Sequence, residues 1–321
     1  MDKPVLLYYR ILNWQPENQA LAANAFTVRE LDHPDQDKSE ILATIHACCA
    51  PLGHYFGPEK MDRCPNLSAI ITNTTGVPHI DMQAAEARGV AVFSLKDEQV
   101  FLDTITPTAE HTWGLLLALL RRTPWAFEHI KAGHWNRFQW GASAMLSRLN
   151  LGIIGYGRLG KRVARYGAAF DMAVRYFDPH VEADGVTERQ DRLESLVAWA
   201  DVISLHVPAV EETHGLISAE ILSYFKPGSL FINTARAELV NEVALLVALR
   251  EGRIAGYGAD VLSGEFASDF EVNAHPLVRH ALKHDNVLLT PHIAGSTIDA
   301  WWETQNKVIE SAIEYFRSWK V

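Results

Sequence analysis

Cysteines, basic runs and long apolar runs are all scarce in this sequence, and each scarcity excludes a class of protein. Its three cysteines, Cys48, Cys49 and Cys64, are odd in number and clustered, which favours reduced thiols over a disulfide framework. The apolar run Leu115–Leu120 is far shorter than the ~20 residues that span a bilayer. Because 29 basic residues stand against 39 acidic ones, with no basic cluster, we expect neither nucleic acid nor a membrane as partner. The sequence therefore predicts a cytoplasmic protein that acts on small molecules.

Metal-ligand spacing is also missing, although histidine is abundant. None of the 14 histidines stands in an HExxH or zinc-finger pattern. His280 and His284 lie at i and i+4 but have no third ligand nearby in the sequence. We therefore expect no catalytic metal.

The chain does have a long alternation of apolar runs with amphipathic stretches, which is typical of a parallel α/β protein. Its 321 residues, 48% of them hydrophobic, are enough for two domains. In the first third we predict a helix at Asp81–Arg88 and strands at Val5–Tyr9, Ala43–Cys49, Ala69–Asn73 and Val90–Phe93. A helix that opens with proline, Pro107–Arg122, is apolar nearly all round and should be buried at a domain or subunit boundary.

A second alternation predicts a doubly wound nucleotide-binding domain. Its expected strands are Leu151–Ile154, Ala173–Phe177, Val202–His206, Ser229–Asn233, Gly256–Val261 and Val287–Thr290. The last segment, Thr297–Val321, has the pattern of an amphipathic helix that could return to the first domain. The predicted fold is α/β with two domains. A Rossmann-type doubly wound domain at 104–295 is inserted in a smaller flavodoxin-like α/β domain made of 1–103 and 296–321.

A glycine fingerprint follows the first strand of the second alternation. Gly155-Tyr156-Gly157-Arg158-Leu159-Gly160 stands between an apolar strand and a helical run, Lys161–Phe170. We expect Gly155 to make the tight turn, Gly157 to let the backbone approach a pyrophosphate, and Gly160 to permit close helix–strand packing. Asp178 ends the next strand, where a carboxylate binds the adenosine ribose hydroxyls and repels a 2′-phosphate. Since no arginine follows it, NAD is favoured over NADP as the cofactor.

Three later strands end in polar residues, and here the sequence resembles the D-isomer-specific 2-hydroxyacid dehydrogenase family. That family carries an NTARG-type strand end, a D-V-F-E-x-E-P segment and a T-P-H-x-G-G stretch in this order. The corresponding segments are Asn233–Arg236, Asp260–Glu265 and Thr290–Gly295. Thr75–Met82 resembles the family's substrate loop, and Thr108-Ala109-Glu110 resembles its helix start between the domains. With the glycine fingerprint, these motifs cover nearly the whole chain.

The resemblance implies an oxidoreductase that moves a hydride between NAD(H) and C2 of a small 2-hydroxy/2-oxo acid. It implies an active site in the cleft between the domains, which would close about a hinge near Asp103–Thr104 and Ala294–Gly295. Thr75 and the amides of Gly76 and Val77 would bind the substrate carboxylate, and Asp260 would bind the nicotinamide carboxamide. The other positions implied to contact the cofactor are Thr108, Arg158, Leu159, His206, Val207, Pro208, Thr213, Thr234, Ala235, Arg236, His292 and Gly295.

The chemistry also follows from the residue types at these strand ends. Reduction of a 2-oxo acid needs a cation for the carboxylate and a proton donor for the carbonyl oxygen as hydride arrives. Arg236 suits the first role and His292 the second. Glu265, if hydrogen-bonded to His292, would orient the ring and favour its protonated form. Taken singly, the three could instead be a helix-start ion pair, a loop charge and a core histidine.

The chain departs from the family pattern at three points. Phe266 stands where the family has a proline after the glutamate. The stretch from Glu265 to His292 is longer than usual, so we expect the loop over the site to differ from that of the family. Ser147-Arg148 replaces a Gly-Lys before the fingerprint strand, to which we attach no consequence.

Several substrate classes stay open. Formate dehydrogenases carry glutamine beside the histidine, and Glu265 argues against them. Trp135-Asn136-Arg137 resembles the Trp-Asn-Lys of 3-phosphoglycerate dehydrogenases, but Cys49–Gly53, where those enzymes tend to have an arginine, is apolar. We therefore favour a smaller acid of the glyoxylate/hydroxypyruvate type.

The same resemblance bears on assembly. Trp140 lies where glyoxylate/hydroxypyruvate reductases place a tryptophan of the partner subunit, so we expect a homodimer in which Trp140 either limits substrate size or is simply buried in the interface. An NAD-sensing corepressor-like binding protein is the alternative from another class, and the complete Arg/Glu/His set favours the enzyme.

Overall fold

The computed structural model describes residues 3–267 and 269–318. The strands are β1 Val5–Tyr9, β2 Thr27–Leu31, β3 Ala47–Cys49, β4 Ala69–Ile71, β5 Ala91–Phe93, β6 Asn150–Ile154, β7 Ala173–Phe177, β8 Glu188–Arg189, β9 Val202–Leu205, β10 Ser229–Asn233, β11 Ile254–Ala259 and β12 Val287–Leu289. The helices are α1 Pro16–Ala25, α2 Ser39–Leu42, α3 Pro58–Asp62, α4 Met82–Ala87, α5 Gln99–Leu102, α6 Pro107–Arg121, α7 Thr123–Lys131, α8 Arg137–Trp140, α9 Arg158–Ala169, α10 Leu193–Trp199, α11 Ala219–Tyr224, α12 Glu242–Arg250, α13 Pro276–Ala281 and α14 Ile298–Ser318. The chain forms two compact units, Met1–Ile105 with Ser296–Val321, and Thr106–Gly295.

The first unit is built on a five-stranded parallel sheet. Its strand order is β2-β1-β3-β4-β5, so β1 has a neighbour on each side. Alternate residues of β1 enter different cores: Leu6 packs in the core that includes α14, and Leu7 in the core that includes α3 and α4. Helix α14 contributes Val308 and Ile309 to the first of these cores, which is why its amphipathic pattern has a buried face.

The second unit is built on a seven-stranded parallel sheet with helices on both faces. The strand order is β12-β11-β10-β9-β6-β7-β8, and the direction in which the chain adds strands reverses at β6. Ile153 packs in one core beside α6 and α9, whereas the next residue, Ile154, packs in the other beside α10. The expectation of two parallel α/β sheets, one of them doubly wound, is confirmed.

Helix α6 begins with Pro107, as the sequence predicts, and its apolar residues are largely buried. Trp113, Leu116 and Leu119 all pack in the core of the second unit. Proline at the first helical position costs nothing, because that N–H has no partner inside the helix.

Some strand assignments from the sequence are wrong. Strands β2 and β8 were not expected, because both are edge strands whose polar residues lack an apolar run. The strand expected at Ala43–Cys49 begins only at Ala47, since Ser39–Leu42 is helical and a turn follows it. The strand expected at Gly256–Val261 begins and ends two residues earlier, at Ile254 and Ala259.

The three cysteines are buried and free. Burial raises the pKa of Cys48 to about 12 and that of Cys64 to about 11, so both are neutral thiols at physiological pH. Within the described residues, no helix has the length and apolar character needed to cross a membrane.

Candidate active site

The predicted cofactor and catalytic residues of the second unit lie at one edge of its sheet. Because the strands are all parallel, their carboxyl ends lie at the same edge. The residues that follow them are Gly155 and Gly157 after β6, Asp178 after β7, His206 after β9, Arg236 after β10, Asp260 and Glu265 after β11, and His292 after β12.

The fingerprint turn has a specific reason for each glycine. Gly155 has φ of +88°, and a Cβ there would lie 2.6 Å from the His206 carbonyl oxygen. A Cβ at Gly160 would overlap the Gly155 carbonyl oxygen, so α9 can approach β6 only with glycine at this position. A Cβ at Gly157 would meet nothing within 4 Å, so space is left where a pyrophosphate is expected to approach the N-terminus of α9. These residues fit a dinucleotide.

Asp178 is oriented by the turn it faces. Its Oδ2 accepts a hydrogen bond from Tyr156 N at 2.8 Å, and its Oδ1 accepts one from His180 N at 2.8 Å. Each carboxylate oxygen keeps a second lone pair for a ribose hydroxyl. The fixed, half-buried carboxylate fits the ribose role that its position predicts.

The loops after β9 and β10 use their polar side chains internally. The Thr213 hydroxyl donates to the Pro208 carbonyl at 2.6 Å, and the Thr234 hydroxyl lies 2.7 Å from that of Thr112 on α6. The side chains of Thr213 and Thr234 therefore shape the two loops that are predicted to contact the cofactor. Burial lowers the pKa of His206 to about 4, so its ring is neutral at pH 7, with Nε2 2.8 Å from Ser204 Oγ.

The remaining predicted cofactor positions lie close to this edge. Val207 lies beside Gly155, and Gly295 lies beside Thr108, the second residue of α6. Arg158 and Leu159 begin α9, directly after the glycine turn, and Ala235 N donates to Asn233 Oδ1.

His292 stands in a strained turn that Asp260 holds in place. Its φ of +54° is unusual for a residue with a side chain and costs about 1–2 kcal/mol. Asp260, only 2% exposed, accepts hydrogen bonds from the N–H groups of Ile293 and Ala294 and from the Thr290 hydroxyl. These bonds fix the backbone on both sides of His292.

His111 is a neighbour of this turn that sequence analysis missed. Its Nε2 lies 2.8 Å from Thr290 Oγ1 and 3.6 Å from Asp260 Oδ1. Since the Thr290 hydroxyl donates to Asp260, His111 Nε2 is the donor to Thr290. The sequence feature that could have identified His111 is its position directly after Thr108-Ala109-Glu110.

Glu265 and His292 are in hydrogen-bond contact. His292 Nδ1 lies 2.9 Å from Glu265 Oε1, which leaves Nε2 for a substrate oxygen. Phe266, which replaces the family's proline, packs on the His292 ring with 5.3 Å between ring centroids. The unusual loop therefore adds an aromatic contact beside the histidine.

A second contact in this loop was not expected from the sequence. His275 is buried, with its Nε2 3.2 Å from both Glu242 Oε2 and Ser263 Oγ. The Ser263 hydroxyl donates to Glu242 at 2.5 Å, so the two ends of the loop are tied to the N-terminus of α12. Glu265 lies two residues after Ser263, on the part of the loop that the hydrogen bonds to Glu242 and His275 hold in place.

Arg236 supplies a cation at the same edge. Its Nη1 donates to the Ala235 carbonyl at 2.7 Å, and no carboxylate pairs with its guanidinium within residues 3–267 and 269–318. Asn233 Nδ2 donates to the Arg236 carbonyl at 3.0 Å and fixes the backbone there. The remaining guanidinium N–H groups are suited to a carboxylate ligand.

The predicted substrate residues outside this edge lie in two places. Thr75, Gly76 and Val77 form the loop after β4 in the first unit, and neither the Gly76 nor the Val77 N–H donates to an acceptor in the described part of the chain. Trp140, in the second unit, donates from Nε1 to His129 Nδ1 at 3.1 Å.

The residues that line a cavity beside Trp140 identify the edge of the second sheet at which Trp140 lies. This cavity, of about 490 Å³, is lined by Trp140 together with residues at the amino ends of strands, among them Gly228 and Asp285. Trp140 therefore lies at the sheet edge opposite His292 of its own chain.

One group of potential metal ligands occurs among the described residues. His33, Asp35 and His54 of the first unit bring their ligand atoms within 4.8 Å of one another. However, His33 Nδ1 already accepts a hydrogen bond from Asp35 N at 3.2 Å. The group takes no part in the edge that carries His292.

The comparisons with known proteins agree with the geometry. Residues 113–294 match the family described as "D-isomer specific 2-hydroxyacid dehydrogenase, NAD binding domain". The chain is 38% identical to the glyoxylate reductase of Thermofilum pendens over 90% of this chain and 78% of that one. It is 34% identical to the D-3-phosphoglycerate dehydrogenase of Bacillus subtilis over 87% of this chain, and spans 51% of that protein's length.

A solved structure of similar fold matches most of the chain. The D-lactate dehydrogenase of Aquifex aeolicus, complexed with NAD and lactic acid, superimposes with a TM-score of 0.84 and 28% identity, covering 98% of this chain and 95% of that one. The resemblance drawn from the motifs is thereby confirmed. The chain belongs to the D-isomer specific 2-hydroxyacid dehydrogenase family.

Proposed function

We propose that the chain is an NAD-dependent dehydrogenase that interconverts a small 2-oxo acid and its 2-hydroxy acid. The observation that carries this proposal is the 2.9 Å contact between His292 Nδ1 and Glu265 Oε1, at the sheet edge that also carries Arg236 and the glycine turn. A proton donor, a group that charges it and a carboxylate-binding cation are the set that carbonyl reduction requires.

In the reductive direction, bound NADH would supply the hydride that is added to C2 of the substrate. His292 gives its Nε2 proton to the carbonyl oxygen, so that the developing alkoxide becomes the hydroxyl group on C2. Glu265 holds the positive charge on the ring before transfer and keeps Nε2 directed outward. Arg236 binds the carboxylate and the carbonyl oxygen, and the N–H groups of Gly76 and Val77 bind the carboxylate. Oxidation reverses these steps with His292 as the base.

For the cofactor, we favour NAD over NADP. Asp178 presents a fixed carboxylate after β7, and Pro179 and His180 follow it instead of an arginine. A 2′-phosphate would meet this negative charge without a guanidinium to pair with it.

For the substrate, we favour a small acid of the glyoxylate or hydroxypyruvate type. The glyoxylate reductase relative supports this choice, as does the loop after β3, where Ala50, Pro51 and Leu52 offer no cation for a phosphate. We also propose a homodimer, since Trp135 and Phe138 are almost fully exposed in one chain. A cytoplasmic location is proposed because the three cysteines are free and buried.

A second candidate is a 3-phosphoglycerate dehydrogenase-like activity. The 34% identity to the Bacillus subtilis enzyme favours it, and Arg137 stands at the start of α8 where a phosphate-binding cation is expected. Arg137 instead lies over the Phe138 ring at 5.4 Å and is exposed, which is why we rank this candidate second. An NAD-sensing binding protein ranks third, because it would not need the Glu265–His292 pair.

The direct test is oxidation of NADH by the purified protein, followed by absorbance, with glyoxylate, hydroxypyruvate, pyruvate, phosphohydroxypyruvate, 2-oxoglutarate and phenylpyruvate. We expect turnover with the small acids, and a loss of about 10²–10⁴-fold in kcat for His292→Asn. Asparagine is the suitable replacement because it tolerates the positive φ at this position.

The panel separates the three candidates. A preference for phosphohydroxypyruvate would favour the second. Tight NADH binding without turnover of any acid would favour the third, and turnover that persists in His292→Asn would refute the assignment of the proton donor.

A further inference from the structure

A chain of hydrogen bonds runs beneath the loop after β4, and it begins at a histidine that the reaction does not use. His79 is 5% exposed, and its Nε2 lies 3.2 Å from Thr72 Oγ1. Thr72 Oγ1 lies 3.1 Å from Thr74 Oγ1, and the Thr74 hydroxyl donates to the Gly76 carbonyl at 2.6 Å. This series of hydrogen bonds therefore ends on the loop that is proposed to bind the substrate carboxylate.

The direction of these bonds follows from the number of protons available. The Thr74 hydroxyl uses its single proton on the Gly76 carbonyl, so Thr74 accepts from Thr72. The Thr72 proton is then also used, so Thr72 accepts from His79. The opposite order would leave the 3.1 Å contact between two hydroxyl oxygens without a proton. His79 must carry its proton on Nε2.

The environment of His79 keeps its ring neutral near physiological pH. Burial lowers the pKa of His79 to about 4, against a smaller opposing effect of the Ala50 backbone. The ring is therefore neutral at physiological pH. Its Nδ1 is buried and makes no hydrogen bond of normal geometry in the described part of the chain, so the contact with Thr72 is the one that orients the ring.

The last hydrogen bond of this series, from Thr74 to the Gly76 carbonyl, sets the orientation of one peptide group. The Gly76 carbonyl and the Val77 N–H belong to one planar peptide unit and point in opposite directions. A hydrogen bond that fixes the Gly76 carbonyl therefore fixes the direction of the Val77 N–H. The Thr75 and Gly76 residues are exposed, and the Gly76 and Val77 N–H groups have no protein acceptor among the described residues. The hydrogen bond from Thr74 thus holds the Gly76 carbonyl, whereas the Val77 carbonyl is held by Ile80 N at 3.1 Å.

We propose that His79 is a positioning residue for substrate binding, which acts through Thr72 and Thr74 to aim the Val77 N–H at the substrate carboxylate. The inference rests on the proposed function, because the anion is the carboxylate of the 2-oxo acid. The base of the loop is held separately: Phe56 N donates to the His79 carbonyl at 2.7 Å. A change of the His79 side chain is therefore expected to alter the tip more than the base.

The test compares three variants of the whole enzyme. Thr72→Val is nearly isosteric and removes the middle hydroxyl, His79→Leu removes the first donor, and His79→Gln keeps an amide nitrogen near the position of Nε2. We expect KM for the preferred 2-oxo acid to rise about 10-fold in Thr72→Val and His79→Leu, with kcat within about 3-fold of wild type. His79→Gln is expected to restore KM to within about 3-fold of wild type.

The dissociation constant for NADH and the unfolding midpoint serve as controls, since a general loss of folding would change both. An unchanged KM in Thr72→Val, or His79→Gln no better than His79→Leu, would overturn the proposal. Wild-type turnover with an unchanged KM in Thr72→Val overturns this inference alone, whereas a wild type that reduces no acid overturns the proposed function as well.

A spectroscopic measurement examines the hydrogen-bond chain without any turnover. In protein labelled with ¹⁵N-histidine, with His79→Gln used to assign the signal, we expect a neutral ring protonated at Nε2 at pH 7. A ring protonated at Nδ1, or one that titrates near neutral pH, would overturn the proposed direction of the chain.

Discussion

The backbone conformation of His292 depends on the Asp260 carboxylate, whereas its ring is in hydrogen-bond contact with Glu265. Asp260 binds the N–H groups of Ile293 and Ala294 and so holds His292 at a φ that it would not otherwise adopt. The sequence indicated Asp260 only through the family resemblance, as a group for the nicotinamide carboxamide. Its hydrogen bonds to the turn depend on how β11 and β12 lie side by side, and residue order along the chain does not specify this.

Glu265 provides the sharpest prediction at the residue scale. Glu265→Gln keeps an acceptor for His292 Nδ1 but removes the charge that stabilises the protonated ring. Reduction uses the protonated ring and oxidation the neutral one, so we expect kcat for reduction at pH 7 to fall about 10- to 100-fold and kcat for oxidation to fall less. The decline of the reductive rate as the pH rises should accordingly begin at lower pH in Glu265→Gln than in wild type.

The measurement is kcat against pH in both directions, with Glu271→Gln as the control. Glu271 is an exposed carboxylate of the same loop, so this change removes a similar charge without touching His292. Superimposable pH profiles for Glu265→Gln and wild type would show that the 2.9 Å contact does not charge the ring.

At the scale of elements, strands with an apolar run were predictable, including the edge strands β5 and β12, whereas the polar edge strands β2 and β8 were not. The sequence predicts β1 and β10 with their observed ends, because each contains a compact apolar run bounded by polar or turn residues. Strand β2 was missed because its Thr27-Val28-Arg29-Glu30-Leu31 sequence is mostly polar, as suits an edge. The pairing of β2 with β1 comes from tertiary contacts that local pattern does not contain.

The glycines of the turn between β6 and α9 were predicted from the sequence, although α9 begins at Arg158 and not at Lys161. Substitutions at two of them test folding and cofactor binding separately. Gly160→Ala would place a methyl group against the Gly155 carbonyl, so we expect a clear loss of stability together with a loss of NADH binding. Gly157→Ala meets nothing within 4 Å and has φ of −76°, so we expect an unchanged unfolding midpoint.

The same methyl group at Gly157 would stand where the pyrophosphate must approach. We therefore expect the dissociation constant for NADH to rise about 10-fold or more in Gly157→Ala, measured by fluorescence titration beside thermal unfolding of both variants. Normal NADH affinity in a stable Gly157→Ala protein would mean that the dinucleotide does not lie over this turn.

For the whole molecule, exposed aromatic side chains argue for a second copy of the chain. Trp135 is 89% exposed and Phe138 is 87% exposed, and Phe127 of the adjoining α7 is also exposed. Three large apolar side chains in one short segment are unusual on the surface of a monomer. Trp140 is the last residue of the same segment and lies at the sheet edge opposite His292 of its own chain. Any contact of Trp140 with substrate would therefore be with a substrate bound in the partner subunit.

The double variant Trp135→Ser/Phe138→Ser tests this assembly by sedimentation equilibrium. We expect wild type at about twice the chain mass of 35.9 kDa and the double variant near that mass, because the interface would lose its apolar side chains. Val243→Ser is the matched control, since Val243 is also an exposed apolar residue of the second unit but lies on α12, away from this segment. A dimeric double variant would place the interface elsewhere. A monomer that gains activity toward bulky 2-oxo acids would mean that the partner's Trp140 limits substrate size, whereas an unchanged substrate range would leave Trp140 with a role in the interface only.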